Sequence, residues 1–598
     1  RVVKSTGDGF LVEFPSALSA MQCALAVQQA VNKRNVEVPE GHRLQLRIGL
    51  HVGEVVPQDG DILGDGVNIA SRIERLAPPG GIALSQQVYD QIQHRVNVEL
   101  ASLGKQQLKN VRIPVEVYQV AGEGPSRRSR PREWTRIAVL PLANISPDPA
   151  DAYFADGMTE ELIYRLSQIG GLRVIAQTSA MPYRGADKRI SQIGEELGVG
   201  VVLEGSVRKA GNRVRITAQL VDTRTEEHLW SCAYERELED VFALQRDIAH
   251  EVAQALEVKL LAGERRQLAK EATQDVEAYT LYLKGRHFWN QRTQEGLERG
   301  IDYFQRSLEA DPQFAPAHAG LADSFAVLTA LGFMPAEEGY PMAEEAALEA
   351  LRLDEGLAEA HASLGLIRWQ YRRDISQAER SLRYAIQLNP NYATAHHWYA
   401  LALAVTGRLE EGVAEIRRAL ELDPLSQAIN ADAGRILTLA RRYDEAREQY
   451  RSALELAPGY VKGGLYGGLA MACVLQGAVE DARGALEEAE RVTDPADQSS
   501  QVWIASLRGL AHLQSGEREE AREILKALSA MPPRHDTAFA LALLSFGLGE
   551  ADQGLSWLEE AWERRDANAL WAKVHPALDT VRDDPCYHDL LTRMGLGD

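Results

Sequence analysis

The chain has 598 residues, which is enough for about three to five domains, and 45% of them are apolar, as in ordinary folded proteins. Its formal net charge of −21 argues against a nucleic-acid-binding protein, because phosphate backbones attract basic surfaces. The four cysteines lie far apart and form no CxxC or Cys/His cluster. They therefore argue against a disulfide scaffold or a zinc site and favour the reducing cytoplasm. No apolar run reaches the roughly 18 residues of a transmembrane helix.

The first predicted element is a β-hairpin in the segment VKSTGDGFLVEF, residues 3–14. The sequence Gly-Asp-Gly at 7–9 is typical of a tight turn, and Phe10, Val12 and Phe14 alternate along the returning strand. Taken alone, this pattern predicts no more than a turn between two strands.

A second segment, DILGDGVNIASR at residues 61–72, is more informative. It brings Asp61, Asn68 and Arg72 into one short stretch, with the last two at i and i+4 on one face of a predicted helix. The preceding hairpin adds a lysine and an aspartate. Together these groups could hold a metal nucleotide and the charge that develops on its phosphates.

These two segments belong to a longer ordered series of blocks. The blocks are KSTGD, RIGLHVGEV (Arg47 to Val55), GDGVNIASRIE, GGIALS (Gly80 to Ser85) and LKNVRIPVEVYQV (Leu108 to Val120). Their order and spacing resemble the class III nucleotide cyclases over residues 1–122, and the wording is most similar to bacterial adenylate cyclases. The resemblance implies an α+β catalytic domain of the ferredoxin-like type.

The resemblance also implies roles for individual residues. Asp8 matches one of two aspartates that hold a pair of Mg²⁺ or Mn²⁺ ions. Lys4 and Asp61 match the pair that reads the purine and selects adenine over guanine. The family builds its site at the interface of a homodimer. We therefore expect ATP as the substrate and a second copy of the chain as the partner that completes the site.

Three further residues match groups that act on the ribose and the phosphates. Asn68 and Arg72 match the pair that positions the ribose and stabilises charge on the transferring phosphate, and Lys109 matches a triphosphate-binding lysine. The chemistry is consistent with these roles, because the attacking group is the substrate's own 3′-hydroxyl and alignment is most of the work.

One departure from the family and several structural alternatives remain open. The family's other metal aspartate lies on a strand before the KSTGD hairpin. The chain begins at Arg1, so we expect it to be part of a longer protein and to be inactive alone. Lys4 and Asp61 could instead be solvated surface groups. Asn68 could satisfy a helix-end backbone group, and Arg72 could pair with an acid of its own helix.

The next stretch predicts a linker and then a small α/β domain. The segment AGEGPSRRSRPREWT lacks a hydrophobic period, so we assign a linker to residues 123–135 and a domain to 136–261. Strand and helix patterns alternate there, with Thr159 as the expected N-cap of a helix over residues 157–169 and a turn at Gly211. The domain resembles the TolB amino-terminal-like domain and shows no catalytic group. Its aromatic residues at 228–234 are typical of a packed strand. The alternation at residues 213–218 predicts an edge or meander strand.

Residues 270–598 predict an all-α repeat array. Pro390, Pro424 and Pro458 recur every 34 residues, which is the tetratricopeptide period. Small residues recur where paired helices would touch, at Ala400, Gly412 and Ala419 and again at Gly434, Ala446 and Ala453. We expect roughly eight helix pairs that stack into a superhelix whose concave face binds a protein or peptide. The alternative is an array that only spaces or dimerises the other domains.

The sequence thus predicts a multidomain adenylate cyclase that converts ATP to cyclic AMP and pyrophosphate and is regulated through its repeat array. The alternative is a catalytically inactive cyclase-like scaffold that binds proteins through its repeats. A guanylate cyclase is disfavoured, because a guanine reader typically carries other residues than Lys4 and Asp61.

Overall fold

The computed structural model forms two compact units, residues 1–131 and 132–598. It describes residues 1–5, 9–35, 44–53, 55–58, 61–92, 100–106, 114–120, 135–148, 151–256, 258, 260–261, 264, 273, 275–290, 293–456, 462–495, 497–531 and 537–597. The multidomain architecture predicted from the sequence, with α/β elements followed by a long helical array, is confirmed.

The first unit is a small α+β domain. Its elements are β1 (Val2–Ser5), β2 (Phe10–Val12), α1 (Ala17–Asn35), β3 (Ile48–Leu50), β4 (Val56–Gln58), β5 (Asp61–Leu63), α2 (Asp65–Glu74), β6 (Ile82–Ser85), α3 (Gln86–Ile92), β7 (Leu100–Gln106) and β8 (Val115–Val120). A four-stranded sheet has the order β3-β6-β8-β7, with β3 and β6 parallel and the other pairs antiparallel. The predicted hairpin is confirmed by the antiparallel pairing of β1 with β2, and β4 pairs with β5.

Helices cover both faces of this sheet. Ile82 and Leu84 of β6 pack with Met21 of α1 on one face. Ala83, which lies between them in the strand, packs with Ile73 of α2 on the other face. Because successive residues of a strand point to opposite faces, α1 and α2 must lie on opposite sides of the sheet.

The second unit begins with a mixed sheet of six strands. Its elements are β9 (Arg136–Val139), β10 (Ala143–Asn144), α4 (Ala152–Ser167), β11 (Arg173–Val174), α5 (Gln177–Ala180), a 3₁₀ turn (Met181–Tyr183), α6 (Ile190–Leu197), β12 (Val201–Ala210), β13 (Arg213–Asp222), β14 (His228–Glu237), a 3₁₀ turn (Leu238–Asp240) and α7 (Val241–Ala255). The order is β11-β9-β12-β13-β14, and β10 pairs with β12. Gly211 has φ of 59° in the turn between β12 and β13, as predicted.

One detail of this domain differs from the sequence-based expectation. The prediction of Thr159 as an N-cap is wrong, because α4 already begins at Ala152. The Thr159 hydroxyl instead donates to the Ala155 carbonyl at 2.8 Å and accepts from the Leu142 amide at 3.0 Å. The sequence did not predict the first turn of α4. Phe154 in that turn is buried by contacts with residues distant in sequence, and such contacts leave no local pattern. Of the two alternatives predicted for residues 213–218, the meander strand is confirmed, because β13 lies between β12 and β14.

The aromatics of β14 have the structural role that the sequence predicted. Trp230 Nε1 donates to a carboxylate oxygen of Glu251 at 3.1 Å, and the Tyr234 hydroxyl donates to the other oxygen at 2.5 Å. Both contacts tie the strand to α7, which carries Glu251.

The repeat array follows with eight consecutive helix pairs in the described part of the chain. They are α8 (Val276–Trp289), α9 (Gln294–Ala310), α10 (Ala315–Ala330), α11 (Ala336–Leu353), α12 (Ala358–Gln370), α13 (Ile375–Leu388), α14 (Ala393–Val405), α15 (Leu409–Leu422), α16 (Gln427–Leu439), α17 (Tyr443–Leu456), α18 (Lys462–Gln476), α19 (Val479–Val492), α20 (Gln498–Gln514), α21 (Arg518–Ser529), α22 (Ala538–Gly547) and α23 (Ala551–Glu563). Two 3₁₀ turns (Ala567–Trp571 and Pro576–Val581) and α24 (Pro585–Arg593) complete the chain. No described helix has both the length and the apolar character needed to cross a membrane.

The predicted small-residue contacts between paired helices are confirmed. A Cβ added to Gly412 would lie 3.1 Å from the Ala400 carbonyl oxygen, and one on Gly434 would lie 2.9 Å from the Tyr450 ring. The other predicted positions hold alanines that are fully buried, namely Ala400, Ala419, Ala446 and Ala453. Small side chains therefore let the helices of each pair approach closely.

The middle domain packs directly on the array within the second unit. Asn391, in the turn before α14, donates through its side-chain amide to the carbonyl oxygens of Ser167 at 2.8 Å and Leu172 at 2.9 Å. The Ala176 amide donates to the Leu422 carbonyl at 2.8 Å. The turns that join successive helix pairs thus form the surface on which this domain rests.

The carboxyl-terminal residues also pack back on the array. Arg373, Arg441 and Arg565 have φ values of 56°, 60° and 59°, a conformation that favours glycine. The Arg373 side chain donates to the Trp562 carbonyl at 2.9 Å, and Arg441 pairs with Asp579 at 2.8 Å. These contacts join turns in the middle of the array to residues much later in the chain. The Arg565 side chain, for example, donates to the Tyr371 carbonyl, which lies 194 positions earlier.

Candidate active site

Helix α2 is held close to strand β3 by a glycine. A Cβ built on Gly49 would lie 2.3 Å from the Glu74 backbone nitrogen and 2.5 Å from the Ala70 carbonyl oxygen, so no side chain fits there. Gly64, immediately before the helix, has φ of 147°, which also favours glycine. The glycines of two predicted blocks therefore set where α2 begins and how it lies on the sheet.

The outer side of α2 carries the predicted amide–guanidinium pair. Ile73 is fully buried, whereas Asn68 is exposed and Arg72 is partly buried one helical turn later. Within the described residues, neither the Asn68 nor the Arg72 side chain has a hydrogen-bond or ion-pair partner, and Asp65 and Glu74 do not pair with Arg72. The helix-end and surface-pair alternatives therefore find no support in this part of the chain.

The predicted purine-reading residues come from neighbouring strands. Lys4 is exposed on β1, opposite Leu11 of the hairpin, and Asp61 is the first residue of β5. Strand β1 lies beside β5, and β5 lies beside α2. The backbone thus brings together the elements that carry Lys4, Asp61, Asn68 and Arg72. The side chain of Asp61 lies outside the described residues, as do Asp8 and Lys109 entirely.

A histidine that the sequence analysis did not single out lies beside these elements. His51 Nδ1 lies 2.9 Å from Ser85 Oγ, and burial lowers the pKa of His51, so its imidazole is neutral at pH 7. A Cβ added to Gly53 would lie 3.0 Å from both the His51 ring and the Gly66 Cα in the first turn of α2. The available signal was a polar residue directly after a strand within the block RIGLHVGEV.

The predicted metal site cannot be assembled from the described residues. They contain no group of three or more His, Cys, Asp or Glu side chains placed to hold a metal ion, and the predicted ligand Asp8 lies outside them. The metal ions therefore remain a prediction from the family resemblance.

Two family models match separate regions of the chain. The family model described as the adenylate and guanylate cyclase catalytic domain matches residues 2–122. The tetratricopeptide repeat model matches residues 370–427, 407–461 and 432–499.

Individual relatives are similar over parts of the chain. A Rhizobium meliloti protein named "Putative adenylate cyclase 3" is 40% identical over 389 residues, which are 62% of this chain and 66% of that protein. The "Transcriptional regulator HilA" of Salmonella paratyphi A is 27% identical over 153 residues, 26% of this chain and 28% of that protein. The chain therefore spans less than two thirds of the length of either relative.

One solved structure is also similar in sequence to part of this chain. It is described as an adenylate/guanylate cyclase/hydrolase from Silicibacter pomeroyi and is 42% identical, covering 21% of this chain and 73% of that one with a TM-score of 0.20. The sequence blocks of residues 1–122 and the 34-residue repeats fall in the regions that the two family models match. Residues 2–122 are thus similar to nucleotide cyclase catalytic domains, and residues 370–499 are similar to tetratricopeptide repeats.

Proposed function

We propose that the protein is an adenylate cyclase that converts ATP to cyclic AMP and pyrophosphate at the interface of a homodimer, in the cytoplasm. One observation carries the proposal: within the cyclase domain, Asn68 and Arg72 share the outer side of α2 and have no partner among the described residues. A guanidinium and an amide held in this way are available to a nucleotide. The name of the Rhizobium relative supports adenine as the base.

In the proposed reaction the ribose 3′ oxygen bonds to the α-phosphorus, the bond to the pyrophosphate oxygen breaks, and the hydroxyl proton passes to solvent. Arg72 stabilises the charge that grows on the transferring phosphate, Asn68 orients the ribose, and Lys109 binds the triphosphate. Two Mg²⁺ or Mn²⁺ ions, with Asp8 as one ligand, would neutralise phosphate charge and favour the alkoxide form of the hydroxyl.

Lys4 and Asp61 account for base selection in this proposal. The lysine ammonium can donate to a purine ring nitrogen, and the carboxylate can accept from the adenine amino group. Guanine presents a carbonyl at the same place, so two acceptors would face each other at a cost of about 1–3 kcal/mol.

The proposed dimer is supported by the surface of the first hairpin. Val2, Phe10 and Val12 are 64%, 76% and 37% exposed, which is unusual for apolar residues grouped on two paired strands. A second copy related by a two-fold axis would cover such a surface and create two equivalent composite sites. In each site, metal ligands from one copy would meet purine-reading and phosphate-binding residues from the other.

We further propose that the repeat array regulates the cyclase by binding a protein or peptide that changes the population of cyclase dimers. A tenfold shift of a dimer equilibrium needs only about 1.4 kcal/mol of differential binding. The middle domain rests on the array through the Asn391 and Ala176 contacts and would move with it. Its similarity to TolB amino-terminal-like domains stays a prediction. A full-length protein cut after Gly122 and assayed at high concentration should retain activity, with an altered dependence on protein concentration.

The first test of the proposed activity is cyclic AMP formation by purified full-length protein with ATP and Mg²⁺. Arg72→Ala should lower kcat by about 10²–10³-fold, as loss of one charge-stabilising donor does elsewhere. Arg75→Ala is the matched control, because Arg75 is an exposed arginine at the end of the same helix. A folded wild-type protein that forms no cyclic nucleotide would favour the alternative of an inactive scaffold.

A further inference from the structure

A cavity of about 100 Å³ lies where the middle domain meets the first repeats. Helix α4 forms one side, and α8, α10 and the start of α12 form the others. Every residue that lines it belongs to the second unit and to the described part of the chain. It is therefore separate from the elements that carry the proposed nucleotide site.

The lining of this cavity is strongly acidic. It contains five carboxylic acids and two arginines, and both arginines already have acidic partners. Arg286 Nε lies 2.5 Å from a Glu160 oxygen, and Arg165 Nε lies 2.9 Å from a Glu161 oxygen. Three acids are left over, so the cavity carries an excess of negative charge and would repel an anion.

Glu359 is the acid that stands apart from the other two. Asp323 accepts from the Ser363 hydroxyl and lies 3.8 Å from Arg286, and Asp354 accepts from the Gly356 amide at 3.0 Å. For the Glu359 carboxyl, the described residues offer no hydrogen-bonding side chain and no cation within ion-pair distance. The Glu359 carboxyl is hydrogen-bonded to its own backbone.

Aromatic rings form another part of the wall. The Tyr282 ring lies 5.1 Å from the Phe314 ring at an angle of 66°, and the Tyr279 ring stacks 6.5 Å from Tyr282. Tyr164 of α4 also lines the cavity. Aromatic faces next to a carboxylate that has no cationic partner among the described residues are the combination that proteins use to bind organic cations.

The size and the arrangement of the acids argue against a metal ion. Among the residues that the structure describes, which include the whole lining, no three acidic or histidine side chains are grouped to hold one. A space of about 100 Å³ instead suits a ligand of a few non-hydrogen atoms, since a cavity of roughly 150 Å³ holds benzene.

We propose that this cavity binds a small organic cation of the alkylammonium class, with its ammonium group at the Glu359 carboxylate and its alkyl part against the rings of Tyr282 and Phe314. The ligand would contact the middle domain and the array together. Its binding should therefore stabilise the second unit against unfolding.

Glu359 also makes the binding depend on pH. Burial, assisted by Asp323 and Glu161 and opposed by Arg286, raises the pKa of Glu359 to about 7. The other ionisable groups around the cavity are Glu160, Tyr164, Arg165, Tyr279, Tyr282 and Asp354. An alkylammonium stays charged from pH 6 to 8 while the ionised fraction of Glu359 grows, so affinity should rise about tenfold over that range.

The test is calorimetric titration of the full chain with butylammonium chloride, with butanol as the neutral probe of similar shape. Wild-type protein should bind butylammonium at pH 8, bind butanol at least tenfold more weakly, and release close to one proton per butylammonium bound at pH 6. Equal binding of the two probes would overturn the proposal, as would the absence of butylammonium binding at concentrations up to about 10 mM. This comparison needs no variant.

A pair of variants then locates the site. Glu359→Gln should weaken butylammonium binding at pH 8 at least tenfold and remove its pH dependence. Glu355→Gln makes the same change of charge four residues earlier on an exposed side chain and should alter the affinity less than twofold. Circular dichroism checks that both variants are folded. Equal affinities of the two variants would contradict the assignment to Glu359.

Discussion

Arginines in the two units are used in different ways. In the repeat array they link successive helix pairs: Arg447 pairs with Asp481 and Arg483 with Glu517, each 34 residues further along. On α2 of the cyclase domain, Arg72 has no such partner in the described residues. These arginines of the array are paired with acids of the next repeat, whereas the candidate site leaves a guanidinium without a partner among the described residues. A charge without a protein partner is the better guide to where a ligand binds.

Two glycines, one from each unit, also differ in how closely other atoms surround them. Substitution of the crowded one should have the largest effect on stability. Gly49→Ala places a Cβ against the backbone of α2, which cannot move aside, and should destabilise the first unit by about 3 kcal/mol. Gly484→Ala in α19 is the control, because its Cβ would meet nothing within 4 Å and should stabilise its helix by up to about 1 kcal/mol. Hydrogen exchange of peptides from each unit measures both effects. Unchanged protection of α2 in Gly49→Ala would remove the explanation for its position.

The second unit should be the more sensitive to acid. Burial lowers the pKa of His575 to about 4, with Asp579 opposing and Arg582 assisting, while the unfolded chain keeps a value near 6.5. Between these values only the unfolded chain binds the proton. Stability should therefore fall by about 3 kcal/mol as pH drops from 7 to 4.

Two histidine variants separate this effect from general acid sensitivity. In the wild type, the Ala577 amide donates to His575 Nδ1 at 3.2 Å, and His575→Asn keeps an acceptor for that amide. This variant should lose less stability in acid than the wild type does. His588→Asn changes an exposed histidine and should leave the loss as in the wild type. Denaturant unfolding at pH 7 and pH 5 gives the comparison, and parallel pH profiles of wild type and His575→Asn would refute it.

Base selection should produce an intermediate effect. Because guanine would face Asp61 with an acceptor, we expect ATP to be used roughly tenfold to hundredfold better than GTP in kcat/KM. Asp61→Ala should reduce that preference to a few-fold. Comparable turnover of ATP and GTP by the wild-type protein would remove the basis for the roles of Lys4 and Asp61.

The smallest expected effect concerns a paired arginine of the array. Arg483 and Glu517 are 42% and 40% exposed, so Arg483→Ala should cost at most about 1 kcal/mol of stability. The cyclase rate should not change, in contrast to Arg72→Ala. A loss of activity in Arg483→Ala without loss of folding would mean that the ion pairs of the array take part in regulation.

Local periodicity explains why much of the fold was predictable. The 34-residue period and the small residues at Ala400 and Gly412 predicted helix pairs correctly, because each repeat contacts mainly its neighbours. The return of the carboxyl-terminal segment was not predicted. Its contacts, such as Arg373 to Trp562, span 189 residues and leave no local pattern.

For the candidate site, the sequence predicted the elements but not how they fit together. The spacing of Asn68 and Arg72 placed both on one helix face, and α2 has that face outward. That Gly49 allows the helix to touch β3 follows only from the packed backbone. The roles of Asp8 and Lys109 remain predictions, because both lie outside the described residues.

The central claim is that catalysis occurs at composite sites shared by two copies of the chain. The most direct measurement mixes full-length Asp8→Ala protein with full-length Arg72→Ala protein and assays cyclic AMP formation. Each variant alone should be inactive, whereas the mixture should recover activity, because one of the two sites in each heterodimer is intact. A mixture as inactive as its components, with heterodimers shown to form, would contradict the claim.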